Sequence, residues 1–133
     1  MTLSVVIPVY NEEGNIIPLF ERLSAVVSTL EFDSVEFIFV NDGSVDSTLD
    51  TIKKLHSSKV SVAYIDLSRN FGHQIAVTAG LDRSVGELIV IIDADLQDPP
   101  ELIAEMVAKA QTGFDVVYAR RRKRKGESFL KKA

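Results

Sequence analysis

The chain has 133 residues, 46% of them hydrophobic and 26% charged, with no cysteine. That balance fits one compact folded domain and excludes a disordered or fibrous chain, thiolate metal sites and a catalytic cysteine; at this length folding removes roughly two thirds of the chain's surface from water with no need of a disulfide. The formal net charge of -4 conceals an asymmetry, because residues 120–132 hold eight Lys and Arg against one acid, which leaves seven basic and eighteen acidic residues in 1–119.

The opening MTLSVVIPVY has no basic leader and its apolar run is interrupted by Pro8, so Leu3 to Val9 reads as a core strand and not as a signal peptide. Ile16, Phe20, Leu23, Val27 and Leu30 then recur at helical spacing. Glu36 to Val40 is a second strand, after which Asp46 or Ser47 caps a helix running through Lys54. Val60 to Leu67 and Leu88 to Ile92 are the third and fourth strands. Pro99, Pro100 and Glu101 open a helix with Leu102, Met106, Val107 and Ala110 on its apolar face, and Gly113 ends it. Val116 to Ala119 is the fifth strand. Strand and helix alternate and the strands are almost continuously apolar, which predicts an α/β fold with a mostly parallel sheet flanked by helices. No run approaches the roughly 18 apolar residues of a membrane span, so the chain is expected to be soluble or at most peripheral to a membrane. Residues 1–119 form the expected domain and 120–133 a basic tail.

In open α/β sheets, ligands bind beyond the carboxyl ends of the strands. Four polar stretches fall there: VPVYNEEGN, VNDGS, LSRNFGHQ and DADLQDPPE. Taken singly, Asn41 to Ser44 also reads as an ordinary turn, Tyr10 to Glu12 as a loop before a helix, and His73 as a helix-start residue rather than a base or ligand. Asp93 and Asp95 are harder to account for structurally, because unpaired carboxylates at the end of a buried strand repel each other and lose hydration. A hard divalent cation removes both difficulties, Mg²⁺ being commonly held by one or two carboxylates with phosphates and water. On an extended path Gln97 would share a side with Asp93 and Asp95. A calcium loop counted from Asp93 fails, since Asp98 falls where the turn needs glycine and Ala104 where it needs glutamate. Neither a P-loop nor a G-x-G-x-x-G run is present.

VVIPVYNEE, VNDGSVDST, LSRNFGHQIAVTAGLD and IDADLQDPPE, in this order and spacing, resemble the family 2 glycosyltransferases of the GT-A, Rossmann-like nucleotide-diphospho-sugar transferase fold. The likeness covers essentially the whole chain and is strongest to the branch that moves a sugar from a nucleotide donor to a polyprenyl phosphate, dolichyl or undecaprenyl. The resemblance implies that Pro8, Tyr10 and Glu12 line a nucleotide pocket and that Asp42 hydrogen-bonds the base or ribose. It implies Asp93 and Asp95 as ligands of Mg²⁺ or Mn²⁺, with Gln97 a third ligand or an orienting group. Arg69 and Asn70 would lie beside the donor, and Arg120 and Arg122 are candidates for the diphosphate or the acceptor phosphate.

In that family a further segment follows the basic stretch, with an acidic residue near the acceptor and then amphipathic or transmembrane helices. The chain is therefore expected to be the donor-binding part of a longer enzyme, with the acceptor-side acid beyond residue 133; Asp98, before two prolines, more simply serves the turn. The alternative is a non-catalytic module that binds a nucleotide sugar or a membrane. The tail, with Phe129 and Leu130 among its charges, is either a solvated terminus or a contact with an anionic bilayer, placing the protein in the cytoplasm at the membrane's inner face. Nucleic acid is not an expected partner, because 1–119 is acidic and has no aromatic series among basic residues.

Overall fold

A computed structural model describes residues 1–110 in full and the backbone of 114–122 and 125–132. The strands are β1 (Thr2–Val9), β2 (Ser34–Asn41), β3 (Ser61–Asp66), β4 (Leu88–Ile91), β5 (Phe114–Arg122) and β6 (Lys125–Lys132), and the helices are α1 (Ile16–Val27), α2 (Thr48–Lys53), α3 (His73–Arg83) and α4 (Leu102–Ala110). They form one sheet in the order β3-β2-β1-β4-β5-β6. The first five of these strands run parallel, and β6 returns antiparallel along β5. The mostly parallel α/β architecture expected from the alternating pattern is the one observed.

Side-chain alternation along the strands divides the core into two layers. Leu3, Val5, Ile7 and Val9 of β1 and Phe37 and Phe39 of β2 pack with Ile16, Leu19 and Leu23 of α1 and Ile103 and Met106 of α4. Phe20 meets Phe37 edge to face at 5.9 Å between ring centroids, and burying a side chain of this size stabilises the fold by about 1.5–3 kcal/mol. On the opposite face Val6, Ile38, Val40 and Ile91 pack against Ala76 of α3.

α3 is the helix that periodicity did not mark. Its buried residues are Ala76 and Gly80, one turn apart, not a stripe of large apolar side chains. A Cβ on Gly80 would lie 2.3 Å from Val6 Cγ1, so this helix docks by close approach and needs little hydrophobic surface. The stripe of α1 extends one turn past the helix itself: Thr29 and Leu30 donate to Val26 and Val27 three residues back, a tightened terminus that still carries Leu30 onto the core. For α2, Ser47 holds the cap position, but the capping oxygen belongs to Asp46, whose Oδ1 accepts the Thr48 N–H at 2.9 Å.

At the amino ends of the strands, Glu36 is buried and its Oε2 accepts both Ser4 Oγ–H at 2.6 Å and the Val85 N–H at 2.8 Å. The Gly86 N–H in turn donates to Ser4 Oγ at 2.8 Å. This network fastens the α3–β4 connection to β1 and β2 at the end of the sheet remote from the polar loops.

The order β2-β1-β4 places the topological switch between β1 and β4, because the chain leaves β1 toward β2 and β3 and re-enters the sheet on β1's other side. A crevice therefore opens where the connections beyond β1 and β4 part in opposite directions.

Candidate functional site

The polar loops at this switch are tied to one another in sequence. Beyond β1, Asn11 adopts a left-handed backbone with φ 52°, and its Oδ1 accepts the Val45 N–H at 2.8 Å while its own N–H donates to Ser44 Oγ at 2.9 Å. The Glu12 N–H donates to Thr48 Oγ1 at 2.8 Å and the Ser47 N–H to Glu13 Oε2 at 3.0 Å, so the first loop is fastened to the second.

The second loop grips the third through Asp42, which is only 4% exposed. Its carboxylate accepts the Phe71 N–H at 2.8 Å, the Gly72 N–H at 3.1 Å and Asn70 Nδ2–H at 3.2 Å. Gly43 makes this approach possible. It sits at φ +75°, and a Cβ there would lie 2.3 Å from Asn70 N, a contact no side chain could accept.

The third loop reaches the fourth through His73, whose Nε2 lies 2.9 Å from Asp93 Oδ1. A carboxylate oxygen only accepts, so Nε2 carries the hydrogen. The hydrogen bond it donates to Asp93 raises the His73 pKa above its ordinary value, outweighing the opposite effect of partial burial. Glu12 is also shifted upward, chiefly by burial, with the charges of Asp95, Asp46 and Asp93 acting in the same direction and the Asn15 amide against it. That electrostatic coupling puts the first loop and the β4 carboxylates in one acidic field.

These loops enclose a cleft of about 270 Å³ lined by Pro8, Val9, Tyr10, Asp42, Asn70, Gly72, His73 and Ala76. Of the sequence-derived candidates, Pro8, Tyr10, Asp42 and Asn70 stand on its wall. Glu12, in the first loop, is not among the lining residues, and its Oε1 accepts Asn15 Nδ2–H at 3.2 Å. Arg69 is exposed and stacks over the Phe71 ring, 4.3 Å from its centroid. Asp93 joins the cleft through His73. The side chains of Arg120 and Arg122 lie outside the described residues.

The path after β4 differs from the extended one expected. Residues 94–98 turn, Leu96 takes a left-handed φ of 60°, and Asp95 Oδ1 accepts the Gln97 N–H at 3.0 Å. A local carboxylate-to-backbone bond competes successfully with strand continuation here. Strand alternation therefore does not bring Gln97 beside Asp93, and the Gln97 side chain is exposed. His73 is the site residue that sequence reasoning set aside; its signal was the conjunction of a helix start with a loop already placed on the ligand-binding rim.

Residues 4–133 match the model of the family described as Glycosyl transferase family 2. The chain belongs to that family. It is 53% identical over 129 residues to an uncharacterized glycosyltransferase, YkcC, of Bacillus subtilis, covering 97% of this chain and 40% of the relative. It is 42% identical over 132 residues to a prophage bactoprenol glucosyl transferase homolog of Escherichia coli, covering 99% of this chain and 43% of the relative. Among solved structures, S. aureus TarS residues 1–349 in complex with UDP-GlcNAc superposes with a TM-score of 0.65 at 26% identity, over 84% of this chain and 32% of that one. The family 2 chain thus spans about two fifths of the length of the curated relatives it matches.

Among the described residues no helix is long and apolar enough to cross a membrane, and no group of three or more His, Cys, Asp or Glu side chains is placed to hold a metal ion by itself.

Proposed function

We propose that this domain binds a nucleotide-diphosphate sugar in the cleft at the switch point and, within a longer protein, transfers the sugar to a polyprenyl phosphate. The observation that carries the reading is the cleft itself, with the Asp42–Asn70–Gly72 network on one wall and His73 linking it to Asp93. The UDP-GlcNAc complex of TarS and the bactoprenol glucosyl transferase names of the relatives support the donor and acceptor classes.

In this reading Pro8 and Tyr10 offer apolar surface to the base. Asp42 retains acceptor capacity on Oδ1 for a ribose hydroxyl or a base N–H, because a carboxylate has about four lone-pair positions and three donors already occupy it. Arg69, held over Phe71, is a guanidinium suited to phosphate. Glu12 contributes negative charge beside Asp93 and Asp95.

The oxygen donors of Asp93 and Asp95 suit a hard ion, Mg²⁺ or Mn²⁺, whose remaining positions would fall to donor oxygens and water. Held by Asp93 and Asp95, such an ion would supply Lewis-acid stabilisation to a departing nucleoside diphosphate. The chain's own groups bind and orient: Asp42 fixes the 70–72 loop, and Asp93 and Asp95 face the donor's charged end. Arg120 and Arg122, with the basic stretch after them, are assigned to the diphosphate or acceptor phosphate and to an anionic membrane surface at the cytoplasmic face. The acid on the acceptor side is assigned to residues beyond 133.

Calorimetric titration with UDP-glucose, UDP-GlcNAc and GDP-mannose tests the reading. One of these donors should bind in the presence of Mn²⁺, and chelation or Asp95→Ala should weaken it by about 10-fold or more, since donor and carboxylates are both anionic. Equal affinity with and without the ion would overturn the metal-bridged mode.

A further inference from the structure

We propose that His73 is a positioning residue that sets the orientation of the Asp93 carboxylate and thereby the choice among divalent cations. The inference rests on the donor–metal reading of Asp93 and Asp95 and adds to it a residue from a different loop. His73 is the first residue of α3. The two peptide N–H groups just before it, those of Phe71 and Gly72, are held by the buried Asp42 carboxylate, and the helix after it is seated on the sheet through Ala76 and Gly80. The imidazole is thus attached to backbone fixed on both sides. Asp93 lies between the buried Ile92, whose N–H donates to Val6 O at 3.0 Å, and the buried Ala94, so both backbones are held and the 2.9 Å bond from Nε2–H sets the orientation of the carboxylate.

The bond is made to Oδ1, which leaves Oδ2 the stronger donor toward a cation. Single-oxygen coordination suits the octahedral shell of Mg²⁺ or Mn²⁺, whereas Ca²⁺ takes more oxygens and often both from one carboxylate. Hydrogen bonds that orient ligating groups commonly govern metal affinity by about 10- to 100-fold. His73 is accordingly assigned to favouring the smaller ions, and Asp42, through the 71–72 backbone, to keeping His73 in place.

The test measures Mn²⁺ and Ca²⁺ affinity of the 133-residue chain by calorimetry, with UDP and GDP in parallel as nucleotide probes, for wild type, His73→Ala, His73→Asn, His73→Gln and Asp93→Ala. Loss of the bond in His73→Ala should weaken Mn²⁺ by about 10-fold with a smaller change for Ca²⁺, lowering the Mn²⁺/Ca²⁺ preference. His73→Asn, polar but too short to reach Asp93, should behave as His73→Ala does and serves in its place if that variant fails to fold. His73→Gln, whose amide N–H can approach the position of Nε2, should recover most of the preference, which a purely structural role would not predict. An unchanged preference in His73→Ala or His73→Asn, with Mn²⁺ binding lost in Asp93→Ala, overturns the role of His73 and leaves the donor–metal reading standing. Unchanged Mn²⁺ binding in Asp93→Ala overturns both.

Discussion

The Asp42 carboxylate accepts the Phe71 backbone N–H at 2.8 Å, joining the loop after β2 to the loop after β3 across 29 residues of sequence. With the Gly72 N–H and the Asn70 amide on the same side chain, one buried anion organises a wall of the cleft. Its role as loop organiser is separate from any contact with the donor, and both would be lost together on substitution. Asp42→Ala should lower unfolding free energy by about 1.5–3 kcal/mol, because backbone donors lose a charged acceptor. Urea denaturation checks this, and a change below about 0.5 kcal/mol would show that water replaces the carboxylate at no cost.

Gly43→Ala is expected to damage the same wall from the other side. The left-handed backbone alone costs a non-glycine residue about 1–2 kcal/mol, and the added Cβ would meet Arg69 C at 2.4 Å as well as Asn70 N. The 69–70 backbone has to move, carrying Arg69 and the Asp42 contacts with it. Donor affinity should fall along with stability; a variant of wild-type melting temperature and affinity would contradict the close approach.

Glu36 provides the contrasting case. It is buried at the opposite end of the strands, where its Oε2 serves Ser4 and Val85 and Arg83 Nη1 lies 3.8 Å from Oε1. Glu36→Ala should destabilise the domain by about 2–3 kcal/mol by leaving a hydroxyl and a peptide N–H without their acceptor. Donor affinity of the folded fraction should stay at the wild-type level, measurable by calorimetry below the melting transition. A weakened affinity at unchanged stability would reverse this assignment.

The His73–Asp93 bond has a pH signature in metal-free protein. Hydrogen bonding to Asp93 raises the His73 pKa above its ordinary 6.5. Since the folded value exceeds the unfolded one, the stabilisation is fully present below about pH 6.5 and is lost as pH rises through the folded-state pKa. NMR titration of the His73 ring in EDTA should give a midpoint above 6.5, and Asp93→Asn should bring it back down. A midpoint at or below 6.5 in the wild type would contradict the contact.

Much of this was legible in the sequence. Near-continuous apolar runs marked β1 to β5 to within a few residues; for β1, β2 and β4 the reason is that strands buried on two faces have little choice of composition. The rim position of Asp42 and Asp93 followed from strand order alone, since loops at one end of a parallel sheet must converge. The segment after Val116 to Ala119 was less legible: the basic residues that read as a tail begin inside β5 and continue into β6, whose backbone pairs Tyr118 with Phe129. Charge composition carries no information about an edge strand whose partner is already present.

What only the tertiary structure decided is who holds whom. α3 was faint because Ala76 and Gly80 bury their face by proximity to Val6 rather than by hydrophobic bulk, a property of a neighbour remote in sequence. The turn after β4 took Gln97 off the expected line because the Asp95 carboxylate found a backbone N–H two residues on. His73 read as a helix start and is one, yet its hydrogen bond to Asp93 arises only when the sheet brings the start of α3 to the loop after β4. Residue type and spacing determined which groups stand on the rim, because burial patterns are written locally. Their pairing depended on distances between loops that the sequence separates by tens of residues, and those distances exist only once the sheet has formed.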